Sequence, residues 1–333
     1  MIEEMAKEFS SVYDILLVTG PTASGKTSLA ANIAQRVGGE IISADSRQVY
    51  RGMNLGTGKD YDDYSVNSIA IPYHLIDIVD PGYKYNVFEY QRDFNRVYSD
   101  LKKRKIFPVV CGGSGMYADS IISGYKMFEV PPDSGLRIEL EKKSMKELKD
   151  ILSTFKTLHN ITDLDTKKRV IRAIEIEHSV RNTGNKKSEF PKVRTLLTGI
   201  QFDRETRRKR ITERLRQRLE SGMVDEVKNL IERGVSYETL IYYGLEYKFI
   251  ALYLTAKVSY QEMVRNLETA IHQFAKRQMT WFRGMERRGI KIHWIDGQLP
   301  MEEKVEKIME LLTVTPHPPP VSYRDPSPRG EGE

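Results

Sequence analysis

In the first half of the chain, short apolar runs alternate with polar stretches of helical spacing. Ile15–Val18, Ile41–Ile42, Ile69–Ile78 and Ile106–Val110 are the predicted strands. That alternation predicts β–α–β units around a parallel sheet. Several runs lead straight into Gly- or Ser-rich turns, where an open α/β sheet presents its ligand-binding edge. From about Gly124 to Pro191 the strand-like runs vanish and Lys and Glu interleave. Turn clusters at Glu129–Gly135 and Asn182–Lys187 bracket helical segments there, which predicts a small helical insertion. Leu196–Phe202 then predicts a strand returning to the sheet.

Two long helices follow. In the first, Ile211, Leu215, Leu219, Met223, Val227 and Leu230/Ile231 recur at helical spacing, and Gly234 suits the stop. The second opens with Ser259 and Glu262 at capping-box spacing and carries Met263, Leu267, Ile271 and Phe274 on one stripe. Ile290–Ile295 predicts the last strand. After Thr313 the chain has five prolines by Pro326 and few apolar residues, the composition of a disordered tail.

The turn after the first strand carries chemistry. Gly20-Pro21-Thr22-Ala23-Ser24-Gly25-Lys26-Thr27 matches the P-loop pattern, with an apolar strand before it and a helix-forming run after it. In such a loop successive backbone N–H groups point at phosphate oxygens, Lys26 supplies a point charge, and the Thr27 hydroxyl is placed for Mg²⁺. The helix N-terminus adds partial positive charge. A diphosphate or triphosphate is therefore the expected ligand. The loop alone does not decide the reaction. No Asn-Lys-x-Asp run for guanine recognition is present, and no strand ends in a clear Walker B acid followed by a glutamate. That disfavours a GTPase or a motor ATPase and leaves a small-molecule kinase as a rival.

The second strand ends in Ser43-Ala-Asp45-Ser46-Arg47-Gln48, and the fourth leads to Cys111-Gly-Gly-Ser114-Gly-Met-Tyr117. Asp45 can face bound phosphates from this edge, or serve only as an Asx-turn carboxylate. Ser114 can donate a hydrogen bond there, or simply cap a helix.

Composition narrows the class. The chain has 333 residues, 40% hydrophobic and 29% charged, in the globular range, and no run long enough to span a bilayer. Its N-terminus lacks a signal-peptide apolar region, so a cytoplasmic protein is expected. One cysteine excludes an intrachain disulfide and a multi-thiolate zinc site. The net charge of +6 leans mildly towards polyanions. Within it, Arg204–Arg218 holds eight basic and two acidic residues, with Arg216 and Arg218 as candidate phosphate contacts. Lys276–Lys291 adds six more basic residues interleaved with Trp281 and Phe282. Such helices suit RNA backbone and splayed bases, although charge runs are more often solvated faces. His74 and His159 lack metal-site spacing.

Taken together, Gly20–Thr27, Ser43–Lys59, Tyr73–Pro81, Gly112–Tyr117 and Ala275–Gly284 resemble the tRNA dimethylallyltransferase family, in order and over most of the chain. The resemblance implies an α/β fold, a P-loop NTPase-like parallel-sheet core with a helical insertion domain. It divides the chain into residues 1–124 (first part of the core), 125–194 (an insertion that grips the tRNA anticodon stem-loop), 195–313 (core completion) and 314–333 (tail). The implied reaction moves a dimethylallyl group from dimethylallyl diphosphate to N6 of the adenosine at tRNA position 37, with Mg²⁺ as cofactor, in a monomer with no membrane association. Gly20 to Thr27 then hold the diphosphate rather than ATP, and Thr27 the metal. Asp45 is implied as the base, with Ser114, Lys26 and Arg214 beside the reacting groups. The tRNA contacts implied are Asp45, Ser46, Arg47, Gln48, Ser114, Arg137, Lys168, Arg169, Val170, Ile171, Arg172, Lys276, Arg277, Gln278, Trp281 and Arg283.

Three stretches depart from the family pattern: Thr57-Gly-Lys-Asp60 in place of Thr-Ala-Lys-Pro, a loosened His159–Asp163 turn, and Ile241-Tyr-Tyr-Gly244. The rivals are a P-loop kinase, a prenyltransferase acting on a free nucleotide, and a non-enzymatic RNA-binding protein.

Overall fold

The computed structural model describes residues 12–124, 130–155, 164–183 and 190–313. The expected turn at 182–187, the 159–163 turn and the 314–333 tail lie wholly or largely outside that range. In chain order the elements are β1 (Ile15–Thr19), α1 (Lys26–Val37), β2 (Glu40–Ser43), a 3-10 turn (Tyr61–Tyr64), β3 (Ser65–Val66), β4 (Ile69–Ala70), β5 (Tyr73–His74), α2 (Val87–Arg104), β6 (Pro108–Cys111) and α3 (Gly115–Ile122). The segment after Gly124 contributes α4 (Ser134–Glu141), α5 (Met145–Ser153) and α6 (Lys167–Thr183). The remainder is β7 (Thr195–Gln201), α7 (Arg204–Glu220), α8 (Met223–Glu232), α9 (Tyr237–Tyr243), α10 (Leu245–Leu254), α11 (Tyr260–Arg287), β8 (His293–Asp296) and α12 (Met301–Thr313).

Six parallel strands form the main sheet in the order β5-β2-β6-β1-β7-β8. β1 lies between β6 and β7, in register Leu17 to Val110 and Leu17 to Leu197. All five of its residues are buried, as a central strand covered by helices on both faces requires. Leu29, Ile33 and Val37 of α1 pack with Leu16, Val109, Ile308 and Leu312 in one apolar core. The P-loop thus leaves the middle of the sheet on a rigid support.

The sequence patterns shift in three places. The expected strand Ile69–Ile78 is broken. Asn67 and Ser68 turn through left-handed backbone (φ 50° and 62°), folding Ile69–Ala70 back onto Ser65–Val66. Pro72 cannot donate to a ladder, and only Tyr73–His74 reach the sheet edge. The single helix expected over 211–231 is two helices, separated at Ser221–Gly222, where Gly222 has φ 94°. The last strand starts at His293, three residues late, and pairs with β7 from Thr198. Helix α11 does open on the Ser259–Glu262 capping box and carries Met263, Leu267 and Ile271 on its buried side.

Residues 125–191 form a compact unit of their own. Within it Leu140, Leu148, Leu152, Val170, Ile171 and Ile174 make a small core. Lys192 to Arg194 belong instead with the sheet-containing unit, where Arg194 bonds the Asp14 carboxylate at 3.0 Å. No helix among the described residues is long and apolar enough to cross a membrane.

Candidate active site

Three turns at the carboxyl edge of the sheet converge with α7, α10 and α11 on one cavity of about 1230 Å³, inside the sheet-containing unit. The first turn is the P-loop. Thr22 to Thr27 line the cavity, and Lys26 opens α1. Burial pushes the Lys26 ammonium below its usual range, and the nearby charges of Arg214 and Arg218 push the same way, against Asp45. A half-buried cation among other cations calls for an anion.

The second turn follows β2. Asp45 lines the cavity, and its Oδ1 accepts the Arg47 backbone N–H at 2.8 Å. The Asx turn is therefore real, and it leaves the second carboxylate oxygen outside that bond. Ser114, on the third turn, occupies the N-cap position of α3 without capping it through its side chain. Its hydroxyl instead accepts the Ser46 N–H at 3.0 Å and donates to the Ser46 hydroxyl at 3.3 Å. The two turns approach so closely at Gly112 that any Cβ there would collide with the Ala44 carbonyl. Beside them, burial pushes the Cys111 thiol up to about 12, so it is no thiolate nucleophile near neutrality.

Helix α7 supplies a stripe of arginines at four-residue spacing. Arg210 donates to the Ala23 carbonyl at 2.9 Å and so grips the P-loop. Arg214 and Arg218 lie 3.6 and 3.0 Å from the Asp60 carboxylate. Burial lowers Arg214 to about 10, with the Arg218 charge adding to the effect. Two polar groups that line this cavity are buried without a hydrogen-bond partner, Arg214 Nε and the Ser24 hydroxyl. Both donors suit phosphate oxygens. Among the described residues no cluster of three or more His, Cys, Asp or Glu could hold a metal. Thr27 and Asp45 offer only oxygen donors, a set suited to a hard cation that also takes ligands from phosphate and water.

Several expected tRNA contacts have other duties. Val170 and Ile171 are buried in the small core of the insertion, so their side chains are withdrawn from any RNA surface. Arg137 and Arg172 both bond the buried Glu175 carboxylate, Arg137 in bidentate fashion at 2.7 and 2.8 Å. Gln48 is buried, accepting from Ser43 Oγ and donating to the Gly58 carbonyl. Gln278 is buried and ties the P-loop to the third turn. Trp281 packs its ring against Gly115 with its indole N–H buried, so it is not an open stacking platform. Arg218 sits in the cavity rather than on an outer face. Lys168, Arg169, Arg216, Lys276, Arg277 and Arg283 are exposed, with Arg277 at the cavity wall.

Sequence reasoning missed Arg210, Asp60, Glu226 and Glu246. Burial raises Glu246, at the cavity wall on α10, to about 7. Glu226 accepts the backbone N–H groups of Asn54, Leu55 and Gly56 and the Tyr247 hydroxyl. The arginine spacing was a readable signal. The partner of Glu226, a set of backbone N–H groups far away in the chain, leaves no pattern in side chains.

Several known proteins are similar to the chain over most of its length. The model of the IPP transferase family matches residues 48–285, and that of isopentenyl transferase residues 13–70. The chain is 58% identical over 300 residues to tRNA dimethylallyltransferase 2 of Bacteroides fragilis, covering 90% of this chain and 98% of that protein. It is 49% identical to tRNA dimethylallyltransferase 2 of Trichlorobacter lovleyi, covering 86% and 93%. Among solved structures, the tRNA isopentenylpyrophosphate transferase of Bacillus halodurans superposes with a TM-score of 0.65 at 30% identity, covering 90% of this chain and 95% of that one.

Proposed function

Because the chain belongs to the IPP transferase family, we propose that it transfers a dimethylallyl group from dimethylallyl diphosphate to N6 of the adenosine at position 37 of tRNA, releasing diphosphate. The observation that carries this reading is the convergence of the P-loop, Asp45 and the Arg214–Arg218 pair on one cavity. That cavity presents cations, orphaned donors and the Asp45 carboxylate to a common ligand.

In the proposed step the N6 lone pair of adenine attacks C1 of the dimethylallyl group. The C1–O bond breaks and its electron pair leaves with the diphosphate. The proton shed by N6 passes to the Asp45 carboxylate. An exocyclic adenine amine is a weak nucleophile, so a base within reach matters as charge develops. Lys26, Arg214, Ser24 and the P-loop N–H groups stabilise the departing charge from fixed positions. Ser114 holds the Asp45–Ser46 turn in place through its two bonds to Ser46. Mg²⁺, held by Thr27, would offset further charge on the diphosphate.

The acceptor base must leave its stack to reach so enclosed a site. Exposed Lys276, Arg277 and Arg283 on α11 supply phosphate contacts beside the cavity, and Lys168 and Arg169 supply them on the insertion. Action as a monomer, in the cytoplasm, is part of the same proposal.

The test is mass analysis of nucleosides from tRNA incubated with the protein and dimethylallyl diphosphate. An adenosine carrying one added prenyl unit is expected. Phosphoryl transfer from ATP to a small acceptor, with unmodified tRNA, would restore the kinase reading.

A further inference from the structure

Asp60 stands where the proposed diphosphate would draw its charge partners. Its carboxylate lies 3.0 Å from Arg218 Nη2 and 3.6 Å from Arg214 Nη2. The arginine side chains are mostly buried, 12% exposed for Arg218 and 27% for Arg214, whereas that of Asp60 is 51% exposed. The arrangement is lopsided. Two guanidinium groups are fixed in the wall, and the one carboxylate ion-paired with both among the described residues hangs from a loop at the rim, with Glu246 and Asp63 acting on Arg214 from further away. Gly58, two residues earlier, lies against both guanidinium groups, which brings the loop backbone itself onto the pair.

A half-exposed carboxylate paired with arginine contributes little net stability. It also leaves Arg214 Nε without an acceptor. A diphosphate carries more negative charge and more oxygens, and it reaches the P-loop donors at the same time. It cannot share these guanidinium groups with Asp60 at such distances, because two anions would then face each other.

Resting on the diphosphate reading above, we propose that Asp60 is a resident stand-in for the substrate's diphosphate: it holds Arg214 and Arg218 paired in the free protein and gives them up when a diphosphate binds. Asp63, one short turn further on, lines the cavity too but makes no ion pair with either arginine among the described residues, so the role falls to Asp60.

The experiment is calorimetric titration of the full-length protein with inorganic diphosphate, comparing wild type with Asp60→Asn and Asp60→Ser. Both variants remove the competing charge and are expected to bind diphosphate about two- to fivefold more tightly, the range set by an exposed ion pair. The KM for dimethylallyl diphosphate should fall by a similar factor, with kcat not raised. Two substitutions of different size guard against a folding artefact in either one. Diphosphate binding that is unchanged or weaker in both variants overturns the stand-in role, the weaker case marking Asp60 as a residue that only positions the arginines. Wild type that binds no diphosphate at all would instead sink the reading of the pocket itself.

Discussion

The side-chain oxygen of Gln278 accepts the backbone N–H of Thr22 at 2.9 Å. The same amide donates through Nε2 to the Gly113 carbonyl at 2.8 Å. One buried side chain on α11 therefore fixes the distance between the phosphate loop and the turn that carries Ser114. In Gln278→Leu both backbone groups lose their partner inside the protein, at a cost of about 1–3 kcal/mol. The expected outcome is a lower denaturant midpoint together with weaker diphosphate binding. Loss of tRNA affinity alone, with stability intact, would reinstate Gln278 as an RNA contact.

Asp45→Asn separates turn from base. Asparagine keeps an oxygen to accept the Arg47 N–H, so the Asx turn survives. It cannot take a proton as a carboxylate does. Turnover is expected to fall roughly a hundred- to ten-thousandfold, with melting temperature and tRNA affinity nearly unchanged. Single-turnover kinetics with saturating tRNA measure this, and near-wild-type rates would leave Asp45 as a turn residue only.

Arg216 and Arg218 lie two positions apart on α7, on opposite sides of the helix, and should respond differently to neutralisation. Arg216 is exposed, and its removal should reduce the log–log salt slope of tRNA binding by about 0.7–0.9 if it meets a phosphate. Arg218 faces the cavity, so its removal should leave that slope alone and raise the KM for dimethylallyl diphosphate. Filter-binding titrations at several salt concentrations decide it; equal slopes for both variants contradict the assignment.

Glu246 gives stability a pH dependence of known sign. Burial raises its carboxyl from 4.5 to about 7. Between those values the folded chain holds a proton that the unfolded chain has released, so stability falls as pH rises through the window. Glu246→Gln should match wild type near the bottom of that window and melt higher than wild type above its top. Thermal scans across the range check this, and a constant offset between the two proteins would contradict it.

Much of this was legible in the sequence because it is local. The P-loop needs only the order Gly20 to Thr27 between an apolar strand and a helix, and α11 announced itself through Ser259, Glu262 and a four-residue stripe. What stayed hidden depends on partners distant in the chain. Gln278 and Trp281 are polar or amphipathic residues in a basic helix, and nothing nearby shows that they face inward. Arg218 belongs to the same charge run as Arg216, and although its spacing from Arg214 hints at a shared face, the helix's rotation against the sheet is what turns it into the cavity. Gly222 ended a helix early because one left-handed residue outweighs a continuous apolar stripe. Val170 and Ile171 lie amid lysines and arginines, yet the insertion needs them for its own small core.

The bonds that Gln278 and Glu226 make also set a timetable for synthesis. Asn54 to Gly56 leave the ribosome 170–172 residues before the Glu226 carboxylate that holds them, and Thr22 precedes Gln278 by 256. At roughly 5–20 residues per second, those loops wait about 10–50 s for their anchors. The nascent chain thus carries a complete phosphate-loop sequence for most of its elongation without the clasp that shapes it. A message cut short before α11 yields a protein with the motif intact and the pocket unfinished.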